Sequence, residues 1–482
     1  MSNTKREFGF YESLEGRKLH ELICTYCSGS EADAAQNLQY IQNYLTNVVS
    51  KNPRLILEKS NPYHHTHIDD VIYLIQRDQH PKDTLAIQRM TLALFDTLTT
   101  FCHDAISKGQ ISSNEYADWL AARTDKGFSI VTDAIMHGNT PIYDRVIKEL
   151  VPHKEYLLAS STEPGRQSPY TELFAKKTIS SLTPLMLAIL SGNVGIFRKV
   201  ATELHDLYTR KKICPPKPDT TTDVEYEGWS REKYAEQFTR MYKDGVTGQK
   251  YRLPDMTLHK VGAGMYHAVV EELRQRRKEN TLTKRQYAGL FYGEDTADHP
   301  KFTILHKTFL MPDIDAHHRL LRYHAVIEEL KKDRAQDLIT AKEYRAFFTK
   351  PASSESVTPL FCAASFNDPE LFQAFLKDMR DALSTSELKG QLTYRTPTQH
   401  RNVFHPATRP ENGNPDIIDK LRRLFLDIFG HEAEGILQQL IHEPSTNGIT
   451  PENPKTPDFI KAALERPIEG RRGAHIGRGG KS

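Results

Sequence analysis

The 482-residue chain lacks any apolar run near the roughly 18 residues that a membrane span needs, so none is expected. Its start, Met1-Ser2-Asn3-Thr4-Lys5-Arg6-Glu7, holds no apolar core of a secretory signal. An excess of one charge is missing too. Lys and Arg number 64 against 62 Asp and Glu, which leaves no basic bias of the kind that bulk nucleic-acid binding needs. Cysteine is scarce: five residues at irregular spacing argue against a disulfide framework and for a reducing compartment. No cluster of nucleophile, base and orienting group can be picked out, so no catalytic residue, cofactor-binding residue or metal ligand is assigned.

The groups nearest to chemistry lie early. Cys24-Thr25-Tyr26-Cys27 is a C-x-x-C, and His64-His65-Thr66-His67 follows it. Cys24 and Cys27 with His64 and His67 could hold a tetrahedral Zn²⁺, but a lone C-x-x-C with His at this spacing reads more simply as two helix cysteines and a solvated loop. Cys102 and His103 form no dyad, because adjacent residues point apart on a helix. A distant His remains open as a partner for any cysteine. Cys362 sits where a small buried residue is wanted and reads as structural.

What the chain does have is repetition. Thr183-Pro184-Leu185-Met186-Leu187-Ala188-Ile189 and Thr358-Pro359-Leu360-Phe361-Cys362-Ala363-Ala364 are each followed by a polar turn and a second apolar helix. Pro at a helix start loses only an amide that would be unpaired there, and the Thr before it can cap. Weaker copies begin near Ser129, Met256, Thr303 and Val403, making six blocks in order. These blocks resemble ankyrin repeats, whose signature is T-P-L-H-x-A followed by a turn and a second helix. The resemblance implies an all-α ankyrin-repeat solenoid, degenerate in most copies. It also implies that His259, His306 and His405 stabilise turns. His405-Pro406 with Gly413-Asn414 superficially resembles the loop of Fic-domain transferases, but the Phe, the spacing and the following Arg are wrong, and an enzyme reading is rejected there.

A second pattern is interleaved with the first. Ser112-Ser113-Asn114-Glu115, Thr283-Lys284-Arg285-Gln286, Thr340-Ala341-Lys342-Glu343 and Ser384-Thr385-Ser386-Glu387 are capping boxes, and Ser230 begins a looser copy. An extra inter-repeat helix is therefore expected before each ankyrin pair. Residues 1–105 read as a helical N-terminal segment or cap, with apolar pieces at Asp70 to Ile75 and Met90 to Leu98. Residues 106–442 read as the array, with an insertion at about 208–255 that is either disordered or functional. Residues 443–482 read as a flexible Pro/Gly-rich tail with a short helix at Phe459 to Leu464, ending in a basic, Gly-rich stretch.

In its degenerate repeats, extra helices, non-repetitive start and polar tail, the chain resembles the type IV-secreted ankyrin effectors of intracellular bacteria. That resemblance implies a monomeric protein-interaction scaffold, secreted without a Sec signal into the host cytoplasm, where it binds a host protein. The alternative is an effector enzyme, a Cys-dependent hydrolase or transferase with its activity in the N-terminal region and the repeats for targeting.

Overall fold

The computed structural model describes residues 13–28, 31–57, 59–60, 65–67, 84–159, 167–210, 230–243, 250–292, 302–310, 315–352, 356–409, 413–452 and 455–466. They are mostly helical. Among them the only strands form two small hairpins, Lys59–Ser60 with His65–Thr66 and Tyr242–Lys243 with Lys250–Tyr251. The all-α class expected from the sequence is what is found, and no described helix is long and apolar enough to cross a membrane. The chain divides into two compact units, residues 1–268 and 269–482.

Unit 1 opens with α1 (Leu14–Ser28), α2 (Glu31–Asn47) and α3 (Thr84–Ser107), with α2 packed on both of the others. Leu19, Ile23, Ile41, Leu45, Leu94 and Leu98 are buried in these helices. The apolar piece at Met90 to Leu98 is thus the middle of α3; the one at Asp70 to Ile75 lies outside the described residues.

From Ser112 onward one order of elements recurs: a capped lead helix, a turn, a middle helix and a third helix, mostly the longest. In unit 1 these are α4 (Ser113–Leu120), α5 (Ile130–Met136) and α6 (Thr140–Leu150). After a short α7 (Lys154–Ala159) come α8 (Pro169–Ala175), α9 (Pro184–Leu190) and α10 (Val194–Arg210). The next set is α11 (Arg231–Thr239), α12 (Leu253–Lys260) and α13 (Ala263–Lys278), and the boundary between units falls within α13. Unit 2 continues with α14 (Lys284–Gly289), α15 (Ile304–Phe309) and α16 (Ala316–Ala335). It then runs through α17 (Ala341–Thr349), α18 (Pro359–Ala364) and α19 (Pro369–Ala382) to α20 (Thr385–Leu392), α21 (Phe404–Ala407) and α22 (Pro415–Phe429). Two more helices, α23 (Ala433–His442) and α24 (Asp458–Glu465), complete it.

Local chemistry explains the order. All four capping boxes form at the lead helices, at Ser112, Thr283, Thr340 and Ser384, and Ser230 caps α11 through the backbone N–H of Lys233. One lead helix escaped the capping-box pattern. At α8 the cap Ser168 bonds the N–H of Thr171, so no Glu or Gln marks the third position, and the Ser-Pro pair was the remaining signal. At the middle helices Ser129, Thr183, Thr303 and Thr358 each accept from the N–H three residues on.

Backbone conformation repeats with the same register. Residues with positive φ lie two before Ser129, Thr183, Thr358, Asn402 and Thr450, at Gly127, Ser181, Ser356, His400 and Gly448. Others lie three before the lead caps Ser112, Thr283 and Thr340, at Gly109, Asn280 and Asp337. The first of these turns leans on the second, with the N–H of Ile179 donating to the Lys126 carbonyl. A Cβ on Gly127 (φ +77°) would stand 2.9 Å from the Lys177 carbonyl oxygen, whereas one on Gly109 (φ +67°) would meet nothing within 4 Å. Gly109→Ala is expected to cost about 1 kcal/mol, the ordinary penalty for a left-handed alanine. Gly127→Ala should cost about 2–3 kcal/mol, because the backbone must also shift. Equal losses for the two in urea unfolding would show that the stacked turns yield freely.

Two boundaries differ from expectation. Within the insertion expected at about 208–255, residues 231–239 and 253–260 are the lead and middle helices of the regular order, and only 211–229 and 244–249 lie outside the described residues. The packed chain also continues past 442. α24 packs on α22 and buries Ile460, Ala463 and Leu464. Arg466 pairs with Asp419 at 2.6 Å, and Arg422 donates to the Arg466 carbonyl. The reason is register. Ser445 to Ile449 form the same hydrogen-bonded turn as Thr124 to Phe128 and Thr178 to Leu182, and the N–H of Thr446 donates to the Gln399 carbonyl, as Ile179 does to Lys126. Residues 467–482 lie outside the described residues.

Candidate functional site

The polar groups first separate into those committed to packing and those left facing solvent. In three sets the buried tyrosine of a lead helix donates to a carboxylate on the following third helix: Tyr116 to Glu149 at 3.0 Å, Tyr170 to Glu203 at 3.1 Å and Tyr287 to Asp333 at 2.6 Å. Each carboxylate also meets a cation or imidazole from an earlier helix: His103 at 2.8 Å, Lys154 at 2.7 Å and Arg274 at 2.8 Å. Burial alone would lift Glu149, but bonds from Arg145, His103 and Tyr116 hold it below the usual carboxylate range. The resemblance of the three clusters to one another marks them as structural joints. His103, which adjoins Cys102 in sequence, serves this joint.

Two of the three histidines that the repeat resemblance placed at one position, His306 and His405, behave alike. His306 Nδ1 accepts from the Thr303 N–H at 3.3 Å, and its Nε2 donates to the Val357 carbonyl at 3.1 Å. His405 Nδ1 accepts from the Asn402 N–H at 3.1 Å, and its Nε2 donates to the Ile449 carbonyl at 3.1 Å. Val357 and Ile449 stand just before Thr358 and Thr450, so each histidine ties its block to the start of the next. Burial pushes both rings down to about 4, against the raising effect of those carbonyl bonds. With both nitrogens engaged, His405 has none to act as a base, which accords with rejecting the Fic-like reading. His259 instead sits edge-on to Tyr251 at 4.8 Å.

Among the described residues, Cys24, Cys27 and His67 do not gather into one ligand set. Both ring nitrogens of buried His67 face backbone carbonyls, Ile56 at 3.1 Å and Gly16 at 3.2 Å, so neither is turned to a metal shared with Cys24 and Cys27. His64 and Cys214 lie outside the described residues. Cys24 Sγ is 3.3 Å from His20 Nε2 one turn earlier on α1. Cys102 is fully buried and its thiol is raised by that burial and by Glu149, the opposite of an activated nucleophile. Burial likewise pushes the Cys362 thiol up to about 12, as suits its structural reading.

What remains is a groove on unit 2. Two adjoining cavities of about 420 and 410 Å³ share Ser365 and Arg409. The first lies among Arg319 in the first turn of α16, Phe366 and Asn367 in the turn after α18, and Arg409 just beyond α21. Phe302, Leu310, Val357 and Phe361 give the second an apolar side, and Gln399 and Arg401 of the 396–401 turn give it a polar one. Each volume falls in the range of ligand clefts, ~300–1,000 Å³. The Arg319 guanidinium lies over the Phe366 ring, 4.7 Å from its centroid, a cation–π contact that restrains its position. None of these arginines was singled out in the sequence, because they stand on separate turns and share no spacing.

No family model matches the chain, and no curated protein matches it.

Proposed function

We propose that the chain is a protein-binding scaffold built from degenerate ankyrin-type repeats, each preceded by an extra capped helix, and that the groove of unit 2 is its docking surface. One observation carries this reading. His306 binds the Val357 carbonyl before the next Thr, and the groove is lined by that turn and by the Thr396 to Arg401 turn, beside which His405 Nδ1 accepts from the adjoining Asn402 N–H. In ankyrin repeats such turns and the helices beside them form the binding face, and stacking makes it continuous. Rigid turns held by buried hydrogen bonds present side chains at little entropic cost on binding.

Ser365→Trp tests the reading, since Ser365 lines both cavities and sits at the end of α18. The full-length chain should capture a dominant protein partner from a host-cell lysate, with cross-links to the 396–401 turn. The substitution should weaken capture at least about tenfold, because a bulky ring would fill the shared floor of the cleft. Undiminished capture by a folded Ser365→Trp chain would remove the groove from the function. Whether the partner is a host protein, as the effector resemblance implies, is read from which lysate yields it.

A further inference from the structure

We infer that the unit 2 groove takes a short acidic protein segment, its carboxylates held by Arg319, Arg401 and Arg409 and an apolar side chain seated against Phe302, Leu310 and Phe361. This rests on the docking reading above and adds the chemistry of the partner. Among the described residues, the charged side chains lining the two cavities are three arginines and no carboxylate. In a chain with 64 basic and 62 acidic residues, that segregation is local.

Several other arginines of unit 2 are committed to ion pairs within the fold: Arg274 to Glu329 and Asp333, Arg380 to Asp427, Arg395 to Glu443 and Arg466 to Asp419. Arg401 and Arg409 form no ion pair among the described residues. A planar guanidinium offers a fork of donors that matches a carboxylate, and the contact with Phe366 restrains that of Arg319. The amides of Asn367 and Gln399 line the same cavities and can bond a peptide backbone. An apolar wall beside so few cations suits a protein segment better than a nucleic acid, which needs a longer basic track along its phosphates. It also suits a segment better than a lipid surface, which cannot enter a recess of this size.

The test is fluorescence anisotropy on the full-length chain with a labelled peptide of Asp and Glu around a central Leu. Comparison probes are its Asn/Gln isostere, the same peptide with Ser for Leu, a single-stranded oligonucleotide of equal charge, and phosphatidylserine vesicles. The acidic peptide should bind, and the isostere should bind at least tenfold more weakly, since each charge-assisted bond to a carboxylate contributes about a factor of ten. Arg401→Glu with Arg409→Glu should abolish peptide binding in a chain that keeps its helical circular-dichroism signal. Neither side chain forms an ion pair among the described residues, and Arg401 acts on the fold through the field it places on His405.

Equal binding of the isostere, no binding of the acidic peptide, or tighter binding of the oligonucleotide or vesicle with the same arginine dependence would each overturn the proposal. Capture of the cellular partner separates this proposal from the docking reading. If Ser365→Trp abolishes capture and the double arginine variant does not, the docking surface stands and the acidic segment falls. If neither substitution affects capture, both fall.

Discussion

Arg274→Met should destabilise unit 2 by about 3–5 kcal/mol, the usual cost of removing one partner from a buried ion pair. Arg274 reaches Glu329 at 2.5 Å and Asp333 at 2.8 Å, and the three side chains are 9%, 3% and 0% exposed. Tyr287 donates to the second oxygen of Asp333 at 2.6 Å. Burial already lifts the Asp333 carboxyl, with the bonds from Tyr287 and Arg274 opposing it. Without the guanidinium, two buried carboxylates share one place on the face of α16, and at least one must take up a proton.

The sign of the pH dependence follows. A carboxyl raised in the folded state costs stability above its raised pKa, and that cost fades as the pH falls through it. The Arg274→Met deficit should therefore be largest near neutrality and narrow under mild acid. Arg274→Met combined with Glu329→Met and Asp333→Asn should recover most of the loss, because the new amide still accepts the tyrosine bond and no charge is left buried. Urea unfolding, with hydrogen exchange along residues 263–278, measures both effects. A loss under about 1 kcal/mol would mean that the triad is solvated in solution.

The second large effect is acid lability of the histidine links. With an unfolded value near 6.5 and a folded value of about 4, His306 is neutral in the folded chain. Its stabilising contribution is fully present above pH ~6.5, declines as the pH falls and is gone below pH ~4, a total of about 3 kcal/mol. His405, with the same folded value of about 4, has the same sign and a similar share. Unit 2 should thus lose stability steeply between these limits. His306→Gln should be less stable at pH 7 by about 1–2 kcal/mol through its poorer paired bonds, yet show a flatter decline into acid. A variant whose pH profile parallels the native one would show that the ring takes no part in acid unfolding.

Much of the fold was legible because its signals are local. A capping box joins residues three apart, so Ser112, Thr283, Thr340 and Ser384 announced their helices without help from the rest of the chain. The helix at Ser168 was missed because Thr171 stands where Glu would, although Ser168 caps equally well. The end of the packed chain was misplaced for a related reason. Pro and Gly between Pro444 and Pro457 signal a flexible tail by composition, yet Gly448 supplies the positive φ that lets Ser445 to Ile449 stack on the preceding turn.

The sequence by itself determined the helical class and the recurring capped helices, because those depend on spacing within a turn or two of backbone. The structural place of His306, His405 and Cys362 was implied by the repeat resemblance, and the two histidines reach carbonyls 51 and 44 positions away. Tertiary structure decided what no spacing encodes. It sent His67 to two backbone carbonyls, away from any metal site, and drew His103 into the Glu149 joint. It also gathered Arg319, Arg401 and Arg409 from three separate segments around one groove. A site assembled from separate turns exists only once the helices between them are packed.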